Sequence, residues 1–304
     1  MNPIRAAALA PTSSALRPVA DWPRLPADLK LSITSGVAVD SRGYVYVAHR
    51  GARPVLRLNP DGTLDREIGA AVMRESLGYD VLNHPEPVAM DVRPWVHGVH
   101  VDPWDNLWIT DVGRHLVFRF NSAGELTLTL GVDGVSGDDA DHFYQPTHVC
   151  VLPSGDFYIT DGYGNARVMH FDAQARFVRA WGRRGVAPGE FHTPHVITAD
   201  TNGRLYVSDR ENDRIQVFTL DGTLLKVWPD LHSVDGLHFA ADGFLYGSAG
   251  LDNRIIRFAT DGTIREVWGA PQLFAYPHGI CIAPDGAIFI AETGGCRVQK
   301  LTHA

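Results

Sequence analysis

One pattern is written six times along this chain. Each copy opens on a small or polar residue, runs into an apolar strand, and turns at a pair such as Asp242-Gly243 or Asp285-Gly286. A second strand follows, reading LYV, LWI, FYI or IFI. The openers are Ser35, His97, Thr147, His195, Asp235 and His278, at intervals of 40–62 residues. Third strands such as Val117–Phe120 and fourth strands after turns such as Asp221-Gly222 complete each copy. A recurring unit of four short strands cannot bury both its faces alone. Stacking such units radially solves this, so the repeat predicts an all-β, six-bladed β-propeller.

The repeat also decides the domain count. A chain of 304 residues could hold two domains, but six like units form one ring, predicted over residues 22–304. The last unit stops after its third strand, near Leu301. An N-terminal strand must close the ring and protect its edge, and Leu29–Thr34 is the candidate. Residues 1–21 read as a flexible extension: Arg5 and a short alanine patch are broken by Pro11, Thr12, Ser13 and Ser14. That start lacks the apolar core of a secretory signal. Three cysteines, Cys150, Cys281 and Cys296, are an odd count without metal-type spacing, which suits free thiols in a reducing, cytoplasmic setting. A formal net charge of -8 argues against nucleic acid or an anionic membrane as partner.

In a propeller the innermost strands line a central channel, and their first residues ring its mouth. Here histidine occupies that place in the second, fourth and sixth copies. One strand histidine is ordinarily a packing residue, as most of the 14 in this chain are expected to be. Three at the same repeat position place three imidazoles around one axis, the donor set of a catalytic Zn2+ with open positions. Thr147 and Asp235 stand close enough to serve as outer partners or extra ligands. His100, His148 and His238, just beyond the ring, are expected to pack.

Loops after the second strands should rise on the same face. They carry Arg50, Tyr163 and Arg210. A tyrosine beside a dication and a guanidinium is expected to have a lowered pKa and could act as a base, while the arginines could hold a carboxylate. The alternative for Arg210, and the expectation for Arg114 and Arg254, is an ion pair between blades. Asp111, Asp161 and Asp209 recur too regularly for catalysis and should serve loop hydrogen bonding. Two long connections, Ala70–Val96 and Val132–Pro146, should rim the same face.

The run QPTHVCVLPSGDFYITDGYGNARVMHF (Gln145–Phe171), followed by FHTPHVITADTNGRLYVSDRENDRIQVF (Phe191–Phe218), resembles NHL repeats and, more narrowly, the peptidyl-α-hydroxyglycine α-amidating lyases. HGVHVDPWDNLWITD and YPHGICIAPDGAIFIAE extend the resemblance over most of the chain from His97 onward. It implies a catalytic zinc on His97, His195 and His278, a catalytic tyrosine at Tyr163, and arginines at Arg50 and Arg210. The implied reaction cleaves the C–N bond of an α-hydroxyglycine unit to an amide and glyoxylate. Where secreted members carry paired cysteines, this chain has Tyr144, Gly164, Tyr206 and Val217. Where they carry an aspartate for a structural calcium it has Gly279, which speaks against calcium, and Tyr276 replaces a methionine. The expected partner is a small-molecule substrate bearing a carboxylate or amide. The competing expectations are a metal-dependent hydrolase such as a lactonase, and a non-enzymatic binding module.

Overall fold

The computed structural model describes residues 11, 16–84, 86–269 and 273–303. Six four-stranded antiparallel sheets stand radially around one axis, joined by short hairpins. The innermost strands of the first five blades are Thr34–Val39, Val96–Val101, His148–Val151, Pro194–Ala199 and Val234–Phe239; that of the sixth is Pro277–Ile282. Their partners, among them Val45–His49, Leu107–Asp111 and Phe157–Asp161, are buried along their whole length. Burial on both faces follows from packing between neighbouring blades, so these strands read as continuous apolar runs. Fourth strands such as Phe177–Trp181 are largely exposed, as the rim of a disc must be.

Large side chains fill the wedges between blades. Trp108 lies tilted on Phe157 with centroids 4.7 Å apart, Tyr206 on Trp228 at 5.4 Å, and Tyr246 stacks on Trp268 at 6.1 Å. Such buried aromatics carry much of the apolar area that holds a disc of blades together.

The ring is closed by an N-terminal strand, but at Leu16–Pro18 rather than Leu29–Thr34. Leu16 pairs with His303, Arg17 with Thr302 and Pro18 with Leu301. The physical reason is distance. The closing strand is outermost in the sixth blade, whereas Thr34 already begins the innermost strand of the first. Crossing from rim to axis spans three strand spacings, about 14 Å, and a strand ending at Thr34 leaves no chain to cover it. Residues 19–33 make that crossing; Trp22 packs edge-on against Phe289 at 5.1 Å. Part of the segment expected to be a flexible extension is thus structural, with Leu16 buried in the core. The remainder of that expectation, residues 1–10 and 12–15, lies outside the described residues.

The connection between the first and second blades is not a plain loop. Ser76–Asp80 and Val88–Arg93 form a two-stranded hairpin over the face where the innermost strands begin. No helix among the described residues is long and apolar enough to cross a membrane.

Candidate metal centre and the pocket above it

His97, His195 and His278 meet on the channel axis. Each is the second residue of an innermost strand in alternate blades, which is why they converge. Ring centroids lie 4.8, 5.0 and 4.9 Å apart, a nearly equilateral triangle. Their ligand atoms all fall within 4.8 Å of one another, the one such group of three or more metal-binding side chains among the described residues.

The imidazoles are oriented by backbone. His97 Nδ1 donates to the Thr147 carbonyl at 2.8 Å, His195 Nδ1 to the Asp235 carbonyl at 2.7 Å, and His278 Nδ1 to the Ser35 carbonyl at 2.7 Å. Every histidine opener therefore leans on the carbonyl of the opener in the next blade. A carbonyl only accepts, so each Nδ1 must carry the proton. Burial, reinforced by neighbouring positive charge, holds all three rings neutral, with His97 and His195 well below the usual histidine range and His278 at about 3. The one remaining nitrogen of each ring is then a bare acceptor.

This arrangement fits a cation. His97 Nε2 and His195 Nε2 are 3.2 Å apart, yet neither has a proton to share with the other. Two nitrogens on a tetrahedral zinc with bonds of about 2.0–2.1 Å stand about 3.3 Å apart. Tyr163 Oη approaches both nitrogens, at 2.8 and 3.0 Å, but one hydroxyl proton satisfies only one of them. Beneath the triad, Val37, Val99, Val196, Leu237 and Ile280 close the channel with apolar side chains. His100, His148 and His238 line its wider far end, and His148 also borders the space next to the triad.

Thr147 and Asp235, open to either of two roles, each hydrogen-bond a histidine of the triad, and Ser35 joins them; all three act through main-chain oxygen. The Asp235 carboxylate instead accepts from Arg210 Nη1 at 3.1 Å and from the Gly250 amide at 3.0 Å. Burial raises its pKa to about 6. Arg210 also pairs with the adjacent Glu211 at 2.6 Å, and its pair with Asp235 joins neighbouring blades, so the alternative of an inter-blade ion pair holds for this residue. It still flanks the site, with Cζ 5.5 Å from the Tyr163 ring centre.

The lowering expected for Tyr163 depends on an ion beside it. Burial pushes its phenol above the ordinary value, outweighing the pull of Arg210 and Arg50. The expected lowering assumed a dication beside it, and the protein's own charges do not supply that. Arg50 reaches the same pocket from the first blade. A cavity of about 190 Å3 is lined by Arg50, Tyr163, Arg210, Gln145, Trp95 and residues 78–83 of the hairpin, among others. The long Ala70–Val96 connection thus covers the face as the sequence implied. Its hairpin and Trp95 were not foreseen; the alternating Val88, Met90 and Val92 were the available signal.

Gly279 supplies no calcium ligand, and a Cβ there would meet the Ser35 carbonyl oxygen and Gly36 Cα at 3.0 Å. The positions at which the resemblance implies paired cysteines are nonetheless juxtaposed here. The Gly164 amide donates to the Tyr144 carbonyl at 2.9 Å, and Tyr206 is the cross-strand partner of Val217. All three cysteines are free thiols.

The fold and its repeats define the class: the chain is a six-bladed NHL-repeat propeller, with the NHL repeat model matching residues 143–171, 191–218 and 274–301. Within that class it resembles the amidating lyases. It is 30% identical to peptidyl-α-hydroxyglycine α-amidating lyase 1 of Drosophila melanogaster, over 93% of this chain and 59% of that protein. It is also 30% identical to peptidyl-glycine α-amidating monooxygenase A of Xenopus laevis, over 93% of this chain but only 33% of the relative. The chain thus spans about a third of the length of that monooxygenase. Among solved structures, a streptogramin B lyase superposes with a TM-score of 0.64 at 18% identity, covering 91% of this chain and 95% of that one. That likeness concerns the fold alone.

Proposed function

We propose that this protein is a metal-dependent carbon–nitrogen lyase acting on a small α-hydroxyglycine-type substrate and releasing an amide and glyoxylate. The observation that carries the reading is the position of Tyr163 Oη, in contact with two neutral metal-type imidazoles and flanked by two arginines. His97, His195 and His278 would hold the ion. Zinc there would supply Lewis acidity toward the substrate hydroxyl and lower its pKa.

The chain's own residues do the rest. Arg50, which has no carboxylate partner among the described residues, takes the substrate carboxylate in a bidentate grip. Tyr163, as phenolate, accepts the hydroxyl proton. The C–O bond becomes a carbonyl as the C–N bond breaks, and the tyrosine returns the proton to the departing amide nitrogen. A buried phenolate needs more positive charge than Arg210 and Arg50 provide, and the histidine cluster is where it fits.

The test combines elemental analysis of the purified protein with a glyoxylate-release assay on simple hydroxyglycine amides. One zinc per chain and glyoxylate with an equimolar amide are expected. His195→Ala should abolish both metal and activity. Tyr163→Phe should keep the metal and lose about 100- to 10,000-fold in kcat. A fully active, metal-free His195→Ala protein would overturn the mechanism. Turnover of lactones to hydroxy acids, with no glyoxylate from any amide, would assign the site to hydrolysis instead.

A further inference from the structure

The pocket leaves one buried cation with no carboxylate within ion-pair distance among the described residues. Arg210 is committed to Asp235 and Glu211. Arg50 Nε, in contrast, is buried with no hydrogen-bond partner, and no ion pair joins its guanidinium to a carboxylate among the described residues. A long side chain with an unpaired head would ordinarily sample many rotamers. What Arg50 does have is an aromatic face: its Cζ lies 4.5 Å from the centre of the Trp95 ring.

That ring is itself fixed from several sides. Trp95 is only 4% exposed, and its Nε1 donates to the Ser76 carbonyl at 3.1 Å. Gly78 of the hairpin and Gly113 after the second blade's second strand press against it. A Cβ at Gly78 would sit 2.1 Å from the indole, and one at Gly113 2.7 Å from it. Arg93 also approaches the ring, at 5.5 Å, but is neutralised by its ion pair with Asp91. The indole therefore holds one guanidinium in an ion pair and one without, and the latter faces the cavity shared with Tyr163.

We propose that Trp95 is the positioning residue for Arg50: by cation–π contact it holds the guanidinium aimed into the pocket while leaving its N–H donors open for the substrate carboxylate. A carboxylate partner in the protein would orient Arg50 equally well but would occupy the donors that the substrate needs. An aromatic face orients the cation without using them. The inference rests on the reading above that Arg50 receives a carboxylate.

The experiment compares Trp95→Phe with Trp95→Leu in the full chain. Both lose the indole hydrogen bond and keep an apolar side chain of similar bulk, but only phenylalanine keeps a π face. The probe is glycolate, the simplest α-hydroxy carboxylate, whose binding is measured by calorimetry together with zinc content and the kinetics of glyoxylate release. Trp95→Leu should weaken glycolate about tenfold and raise KM more than it lowers kcat, at unchanged zinc content. Trp95→Phe should stay within about threefold of the parent. Equal loss in both variants, or unchanged binding in Trp95→Leu where Arg50→Ala has lost it, would overturn the proposal, as would a parent protein that does not bind glycolate. Glycolate binding that depends on the ring, in a protein that releases no glyoxylate, would sink the lyase reading and leave the Trp95–Arg50 pair standing.

Discussion

The carbonyl oxygens of Ser35, Thr147 and Asp235 do more for the metal centre than their side chains. Each fixes the tautomer of a histidine in the preceding blade. The histidines themselves were legible in the sequence, because an imidazole announces its chemistry and its repeat position gives its place. Thr147 and Asp235 were legible as neighbours, but that their carbonyls and not their side chains orient the rings was not, because every residue has a carbonyl. A prediction follows for Asp235, whose carboxylate serves Arg210 and whose carbonyl serves His195. Asp235→Asn should leave zinc content unchanged, since the main-chain oxygen remains, while weakening the hold on Arg210 and lowering activity. Loss of zinc in that variant, by elemental analysis, would show that the carboxylate and not the carbonyl matters. Tyr163 was legible from its place in a loop after a second strand, on the histidine face, whereas Tyr158 and Tyr206 lie inside strands, where burial holds them well above the ordinary tyrosine value.

The motif residues around Tyr163 and Arg210 belong to a recurring clamp. Asp161 accepts from the Tyr144 amide at 2.8 Å and pairs with Arg167 at 3.0 Å, and Arg167 bonds the carbonyls of Asp138, Asp139 and His142 in the preceding loop. Asp209 repeats this with the His192 amide and Arg214, which holds the carbonyls of Val186, Ala187 and Glu190. Glu292 and Arg297 do the same in the sixth blade with the Ala275 amide and the Leu273 carbonyl. The recurring acids thus serve loops, as their regularity implied. In DGYGNAR the clamp uses Asp161, Asn165 and Arg167, and Tyr163 is the side chain left over for chemistry. Gly162 lets that loop approach the fourth blade, since a Cβ there would sit 2.2 Å from the Pro194 carbonyl. The second blade breaks the pattern: Leu116 stands where the clamp arginine should be, and Asp111, buried with one oxygen that lacks a hydrogen bond and lies 4.0 Å from Arg114, rises to about 6. Arg167→Ala strands the fully buried Asp161 and should cost about 3–5 kcal/mol by urea unfolding. A cost below about 1 kcal/mol would show that the loop holds without it.

At the scale of the ring, closure and acid stability are the properties to test. Removing residues 1–18 exposes Arg297–His303 as an unpaired edge and uncovers the core beside Leu16. Such a truncation should lower Tm and promote aggregation, read by calorimetry and light scattering; an unchanged Tm would mean that closure adds nothing. The channel and core also hold several neutral histidines: burial depresses His100, His115 and His238 to about 4 and His148 to about 3. Their unfolded value is 6.5, so the unfolded chain binds more protons below it. The stability they contribute is complete above pH 6.5 and is lost as pH falls toward 4. Circular dichroism should show the melting temperature falling across that window, and a flat profile would contradict it. The repeat determined the architecture and the convergence of His97, His195 and His278 by itself, because blade count and strand position are periodic and periodicity is written in one dimension. Only the tertiary structure decided which strand closes the ring, which carbonyl orients each imidazole, and which arginine stays without an ion pair on Trp95. Each of those depends on the distance between groups far apart in the chain, and sequence spacing does not encode that distance.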